Sequence, residues 1–148
     1  MKNYKLLSTL FAMALTVSVA SAADIYVSLE TGKNSNEGTK EAPLKNLWKA
    51  LDKSQVGDTI HLAEGIYPGQ MKRNWFMMEK PVSIIGGYAK DFSERNPLTH
   101  KTMIQPLNEN NDKKGNGQAL LHLEFDRTNN APKGFKMTID GLVRSFRA

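Results

Sequence analysis

The sequence predicts an all-β chain: a solenoid of stacked parallel strands, opened by one short capping α-helix near the N-terminus. Three observations predict it. First, a single helix-like segment is followed only by short apolar runs separated by turn residues. The central apolar residues of these runs are Ile60, Ile84, Ile104, Leu121 and Ile139, roughly 17 to 24 residues apart,. That step is too long for a hairpin meander and too poor in helix for alternating strand–helix units. Second, three runs share one form, an apolar strand, then glycine, then an aromatic or apolar residue: TIHLAEGIY, VSIIGGY and MTIDGLV. A residue without Cβ turns most easily at the corner of a coil. Third, the 148 residues include no cysteine, and stacked apolar ladders need no disulfide. The absence of cysteine also excludes thiolate zinc and iron–sulfur sites. A content of 40% hydrophobic and 24% charged residues argues against wholesale disorder,.

The N-terminus carries an export signal. Lys2 and Lys5 form a basic start, residues 6–20 are apolar apart from Ser8, Thr9, Thr16 and Ser18, and Ala20-Ser21-Ala22 supplies small residues at A-x-A spacing. This is the three-part pattern of a signal peptide, with cleavage expected after Ala22. The apolar run falls short of the ~20 residues of a membrane span. No cysteine follows it that could carry a lipid anchor. The expected locations are periplasmic, cell-surface or secreted, with no membrane contact after cleavage. Residues 23–148 then form the cap and first coils. Cleavage removes two of the 20 basic residues and takes the formal net charge from +5 to about +3. The remaining basic residues are scattered, so no nucleic-acid partner is expected.

Residues 25–28, IYVS, read as the first strand, and GKNSNEGT at 32–39 as a loop,. Leu44, Leu47, Trp48 and Leu51 fall on one helical stripe, with Pro43 in the first turn and the end before Gly57,. A solenoid leaves an open end that needs an atypical terminal unit with a polar outer face. This helix, with Lys45, Lys49 and Lys53 opposite its apolar stripe, is that unit. Strands follow at 59–62, which leads to Gly65-Ile66-Tyr67, and at 82–85, 102–105, 119–123 and 137–140, with polar loops at 89–101 and 108–118.

The text from Ile25 to Tyr67 resembles the N-terminal part of bacterial right-handed parallel β-helix proteins of the pectate-lyase-like superfamily. The likeness rests on IYVS, the Gly/Asn-rich loop ending in Gly38-Thr39, Pro43 with its helix, and GDTIHLAEGIY. VSIIGGYAKDFSERNP and MTIDGLV are similar to versions in gut and oral Bacteroidetes members. The resemblance implies a first strand, a capping helix and the first coils of a right-handed parallel β-helix. In family members that are polysaccharide lyases, a Lys or Arg base and calcium held by Asp and Glu sit on middle coils. This chain has Lys33-Asn34-Ser35 where the family often has Asp, so no cation is assigned to that loop. The tail RSFRA has neither a strand nor a cap pattern, so the β-helix is expected to be incomplete at its C-terminus and the chain to be part of a longer protein. Its open coil would invite self-association.

No catalytic residue is identified, no metal or other cofactor is expected, and calcium enters only through a longer parent protein. His61 and His122 sit in strands between apolar residues, and His100 lies in a polar loop without ligand spacing,. Asp58 and Asp140 read as turn residues whose carboxylates bond nearby N–H groups,. Asp91, Glu94, Arg95, Asp126 and Arg127 read as solvated loop charges. The segment MKRNWFMMEKP is plainly read as coil core plus an exposed turn. Its functional reading is a carbohydrate site, with Trp75 stacking on a sugar ring and Lys72 and Arg73 pairing with a uronate. The expected function is a non-catalytic exported segment that contacts polysaccharide or a cell surface. The alternatives are part of a polysaccharide lyase or glycoside hydrolase with its active site beyond residue 148, and an adhesin-like structural β-helix.

Overall fold

A computed structural model describes residues 21–69, 76–105, 121–123, 134 and 136–144. The apolar run of the expected leader, the loop at 108–118 and the triplet Lys72, Arg73 and Trp75 lie outside the described residues. Among those residues are nine strands and one helix: β1 (Asp24–Val27), α1 (Leu47–Lys53), β2 (Thr59–Ala63), β3 (Gly65–Pro68), β4 (Phe76–Met78), β5 (Ser83–Tyr88), β6 (Thr102–Gln105), β7 (Leu121–Leu123), β8 (Ile139–Asp140) and β9 (Leu142–Arg144).

The strands form three sheets, ordered β1-β2-β5-β8, β3-β6-β9 and β4-β7, and every ladder is parallel. Along the chain β2, β3 and β4 enter the first, second and third sheets in turn. β5, β6 and β7 repeat that order, and β8 and β9 begin it again. Alternation along each strand sends every second side chain inward. In the first sheet Ile25, Ile60, Ile84 and Ile139 are paired in one ladder, with Val27 beside Leu62. Tyr67 pairs with Ile104 in the second sheet, and Phe76 with Leu121 in the third. Apart from the exposed Ile139, these ladders merge in one apolar core. Each large side chain buried there stabilises by ~1.5–3 kcal/mol.

The register corrects the even step read from the sequence. Ile60, Ile84 and Ile139 share the first sheet, but Ile104 belongs to the second and Leu121 to the third. Two of the strand–glycine–apolar units are pairs of strands around a corner, β2 with β3 and β8 with β9, whereas VSIIGGY runs on as β5. The corner at Gly141 shows why glycine is used. Its φ is +68°, and a Cβ there would lie 2.4 Å from the carbonyl oxygen of Gly86. A Cβ on Gly86 would in turn meet the Gly141 oxygen at 2.6 Å. The backbone of β5 at Gly86 thus touches the backbone between β8 and β9 at Gly141.

The helix is shorter than its apolar stripe. Leu44 is extended and bridges Val27: its N–H donates to the Tyr26 carbonyl and its carbonyl accepts from Ser28 N–H, both at 2.9 Å. Strand pairing therefore claims the residue, and Pro43 stands outside the helix. The carbonyl of Pro43 holds the 32–39 loop instead, accepting from Lys33 N and from the Asn36 amide. Leu47, Ala50 and Leu51 are buried, and Trp48 packs half-buried against the core. α1 lies on β1, β2 and β4.

Buried polar groups are paired, as they must be in a dry core. The Tyr67 hydroxyl lies 3.0 Å from both the Val27 and Ala63 carbonyls, at the ends of β1 and β2. The Thr102 hydroxyl accepts from Gly87 N–H at 2.9 Å and donates to the Ala63 carbonyl at 3.2 Å. Asp58 behaves as its turn position predicts, one oxygen accepting from Gln55 N–H at 2.7 Å.

Candidate functional site

The outward face of the first sheet carries a continuous patch of aromatic and charged side chains. Because Ile25 and Val27 point inward, Tyr26 points out. Its ladder partner His61 therefore points out too, and the two rings stack at 4.8 Å. Tyr88 at the end of β5 meets His61 edge-on, and Phe92 meets Tyr26 edge-on at 5.1 Å. His61 Nε2 lies 2.7 Å from Asp24 and Nδ1 lies 2.9 Å from the Tyr88 hydroxyl. A carboxylate can only accept, so Nε2 carries the proton and, in the neutral ring, Nδ1 accepts from Tyr88. Burial pushes the phenols of Tyr88 and Tyr26 up from their ordinary value. The Asp24–His61–Tyr88 hydrogen bonds fix the orientation of the His61 and Tyr88 rings.

The segment 89–101 folds over this patch. Phe92 takes a left-handed φ of 59° and is nonetheless buried, its N–H bonded to the Ala89 carbonyl. Arg95 donates to the Gly86 carbonyl at 2.9 Å, pairs with Asp140 and lies over the Tyr88 ring. That hydrogen bond from Arg95 holds the Asp140 carboxyl below its ordinary value, helped by Gly141 N–H. His100 sits between two carboxylates, with Nε2 2.9 Å from Glu94 and Nδ1 3.0 Å from Glu64. Both nitrogens face carboxylate acceptors, an arrangement that favours the cationic ring,. The Glu94 and then the Glu64 hydrogen bond raise its pKa above the ordinary imidazole value.

Beside His100 an open groove of about 480 Å³ is lined by Leu29, Glu30, Glu64, Gly65, Lys90, Thr99 and Lys101. Lys90 pairs with Glu30 across it, and that hydrogen bond raises the lysine's pKa. The groove offers cations, carboxylates and a hydroxyl to a polar ligand, a combination suited to recognising hydroxyls and carboxylates by hydrogen bonding.

Asp91, Glu94 and Arg95 are exposed, as expected of loop charges, and each also has a defined partner: Arg95 bonds the Gly86 carbonyl and Asp140, Glu94 bonds His100, and Asp91 accepts from the backbone and hydroxyl of Ser93. Asp140 does bond Gly141 N–H at 2.7 Å, as its corner position predicts, and adds Arg95. The His100 cluster was not legible in sequence. Glu64 and His100 are 36 positions apart and meet because β3 pairs with β6, with Gly65 N–H on the Lys101 carbonyl.

Comparison with known proteins follows the same part of the chain. Residues 30–91 match the family model described as "Protein of unknown function (DUF1565)", a family associated with pectate-lyase-like β-helix proteins. No curated protein and no solved structure matches the chain. The matched residues run from the loop after β1 through α1 and β2 to β5 and the start of the segment over the aromatic patch.

Proposed function

We propose that this chain is the helix-capped N-terminal part of an exported, right-handed parallel β-helix whose outer surface contacts polysaccharide and carries no catalytic centre of its own. The observation that carries this reading is the cyclic order in which successive strands enter three parallel sheets. That order is what a coil with three sides produces. The helix on β1, β2 and β4 supports its role as a cap,. The family match over residues 30–91 supports the β-helix assignment. The aromatic patch and the polar groove supply ring faces and hydrogen-bonding groups to a sugar chain. Trp75, Arg73 and Lys72 lie in sequence between β3 and β4 and add a ring with two cations for a uronate.

Affinity electrophoresis through gels cast with polygalacturonate, alginate or chondroitin tests the reading. The expected result is retarded migration in at least one polymer, relieved in a Trp75→Ala variant and by added salt. Equal migration with and without all three polymers overturns polysaccharide contact. Unsaturated product accumulating from any of them, followed by ultraviolet absorbance with calcium present, overturns the non-catalytic assignment.

A further inference from the structure

We infer that leader removal is coupled to folding: cleavage between Ala22 and Ala23 turns the Ala23 nitrogen into an ammonium that forms an ion pair with the buried carboxylate of Asp58. This rests on the export reading above and deepens it. Asp58 is only 4% exposed. Its two oxygens each accept one backbone N–H, from Ala23 at 2.8 Å and from Gln55 at 2.7 Å. Among the described residues no Lys, Arg or His forms a salt bridge with it. A buried carboxylate served only by neutral donors is costly, and a cation at hydrogen-bond distance offsets that cost.

The ladder itself sets the position of the nitrogen. Asp24 pairs with Thr59, and the Ala23 carbonyl accepts from Thr59 N–H at 2.9 Å. Ala23 and Asp58 are each one residue before that pair, so the contact continues the ladder by one step. Residues 21–23 are exposed, which leaves the bond open to a leader-removing endopeptidase. The chemistry is hydrolysis. Water adds its hydroxyl to the Ala22 carbonyl carbon, its remaining hydrogen goes to the Ala23 nitrogen as the C–N bond breaks, and the proton released by the new Ala22 carboxyl turns that amine into the ammonium. The other charged groups on the surrounding elements are already engaged. Asp24 and His61 face each other, and the Lys80 ammonium donates to the Asp52 and Ser54 carbonyls.

Two measurements test this separately. The full-length chain is exported from a bacterial host, and the N-terminus of the recovered protein is sequenced. Ala23 as the first residue is expected; a different first residue, or retention of the leader, overturns the cleavage site and with it the export reading at this bond. Independently, residues 23–148 are prepared with a free Ala23 amine and with the same amine acetylated, each with Asp58 or with Asp58→Asn. Acetylation keeps an N–H but removes the charge. It is expected to lower the folding constant about tenfold near neutral pH, about 1.4 kcal/mol, and by less than about twofold in Asp58→Asn. The ion pair raises the amine's pKa in the folded state. Its contribution is therefore full below the unfolded value of about 7.7–8.0 and is lost as pH rises through the folded value. Equal stability of free and acetylated chains carrying Asp58, or a difference that does not fade at alkaline pH, overturns the ion pair whatever the sequencing result. The pH series on the Asp58 chains decides the matter even where Asp58→Asn fails to fold.

Discussion

Replacing Tyr67 by Phe removes one oxygen from a fully buried side chain and nothing else. That oxygen sits 3.0 Å from the carbonyls of Val27 and Ala63, where the first two strands of the first sheet end. It has one proton, so it serves one carbonyl at a time, and both carbonyls belong to residues with no exposure. Ala63 keeps a second donor in Thr102, but Val27 has no such replacement among the described side chains. Losing a hydrogen bond to a buried acceptor costs about 1–3 kcal/mol. With a urea m-value of about 2 kcal/mol per molar, a loss near 2 kcal/mol lowers the midpoint by about 1 M. The m-value itself should not change, because no surface is newly exposed. Burial by the core pushes the Tyr67 phenol far above its ordinary value of 10.0. Stability linked to it is therefore full below pH 10.0 and falls as pH rises beyond that value, since only the unfolded chain ionises readily,. The Phe variant should lose less on alkalinisation than the parent. A second variant, Thr102→Val, removes the other donor to Ala63, and the double variant should cost more than the sum of the single losses. A single-variant loss below about 0.5 kcal/mol, or strict additivity, would refute the reasoning.

Other outcomes follow from the corners and the segment over the sheet. Gly141→Ala must fit a methyl 2.4 Å from the Gly86 carbonyl at a φ of +68°, whereas Gly134→Ala at +83° meets nothing within 4 Å. Both carry the left-handed penalty of about 1–2 kcal/mol. Gly141→Ala should melt well below Gly134→Ala, and equal melting temperatures would remove the backbone contact from the argument. His100, its pKa raised by Glu94 and Glu64, contributes stability in full below the unfolded imidazole value of 6.5 and loses it as pH rises through the folded value,. Glu94→Gln should lower the His100 pKa measured by NMR and flatten that pH dependence. Asp140, held low by Arg95, contributes above the unfolded carboxylate value of 3.8 and loses that stability as pH falls through the folded value,. Arg95→Ala should raise the Asp140 pKa, read from its side-chain carbon shift, and speed proteolysis within 89–101.

The sequence made the strands visible because each is a short apolar run ended by glycine, proline or a polar cluster. Ile60 and Ile84 announce themselves by composition alone, and both lie in the core. The sheet to which each strand belongs is not visible in the sequence. Ile104 and Leu121 look like Ile84, and only the length of chain crossing each corner sends them to other sheets. Leu44 stands at helical spacing yet lies outside the helix, because an apolar residue there is equally suited to a strand bridge, and Tyr26 and Ser28 supply that bridge. Asp58 is legible as a turn residue because it follows Gly57, and its carboxylate accepts from Gln55 N–H. Its contact with Ala23, 35 positions away, depends on strand register, which local spacing does not encode. The same reason hid His100 with Glu64.

Parallel ladders have a kinetic consequence. Adjacent strands in such a ladder cannot be joined by a tight hairpin, so each closure in this chain spans a long stretch. Ser83 receives the N–H of Thr138 from 55 positions away, and His61 reaches Tyr88 across 27. The entropy of closing such loops comes before any ladder contact forms, which places the chain among folders in the millisecond-to-second range. A chain that folds this slowly spends longer with its ladders incompletely paired. It also leaves its strand edges uncovered for longer, so its yield on refolding should fall with concentration sooner than that of a helical protein of equal length.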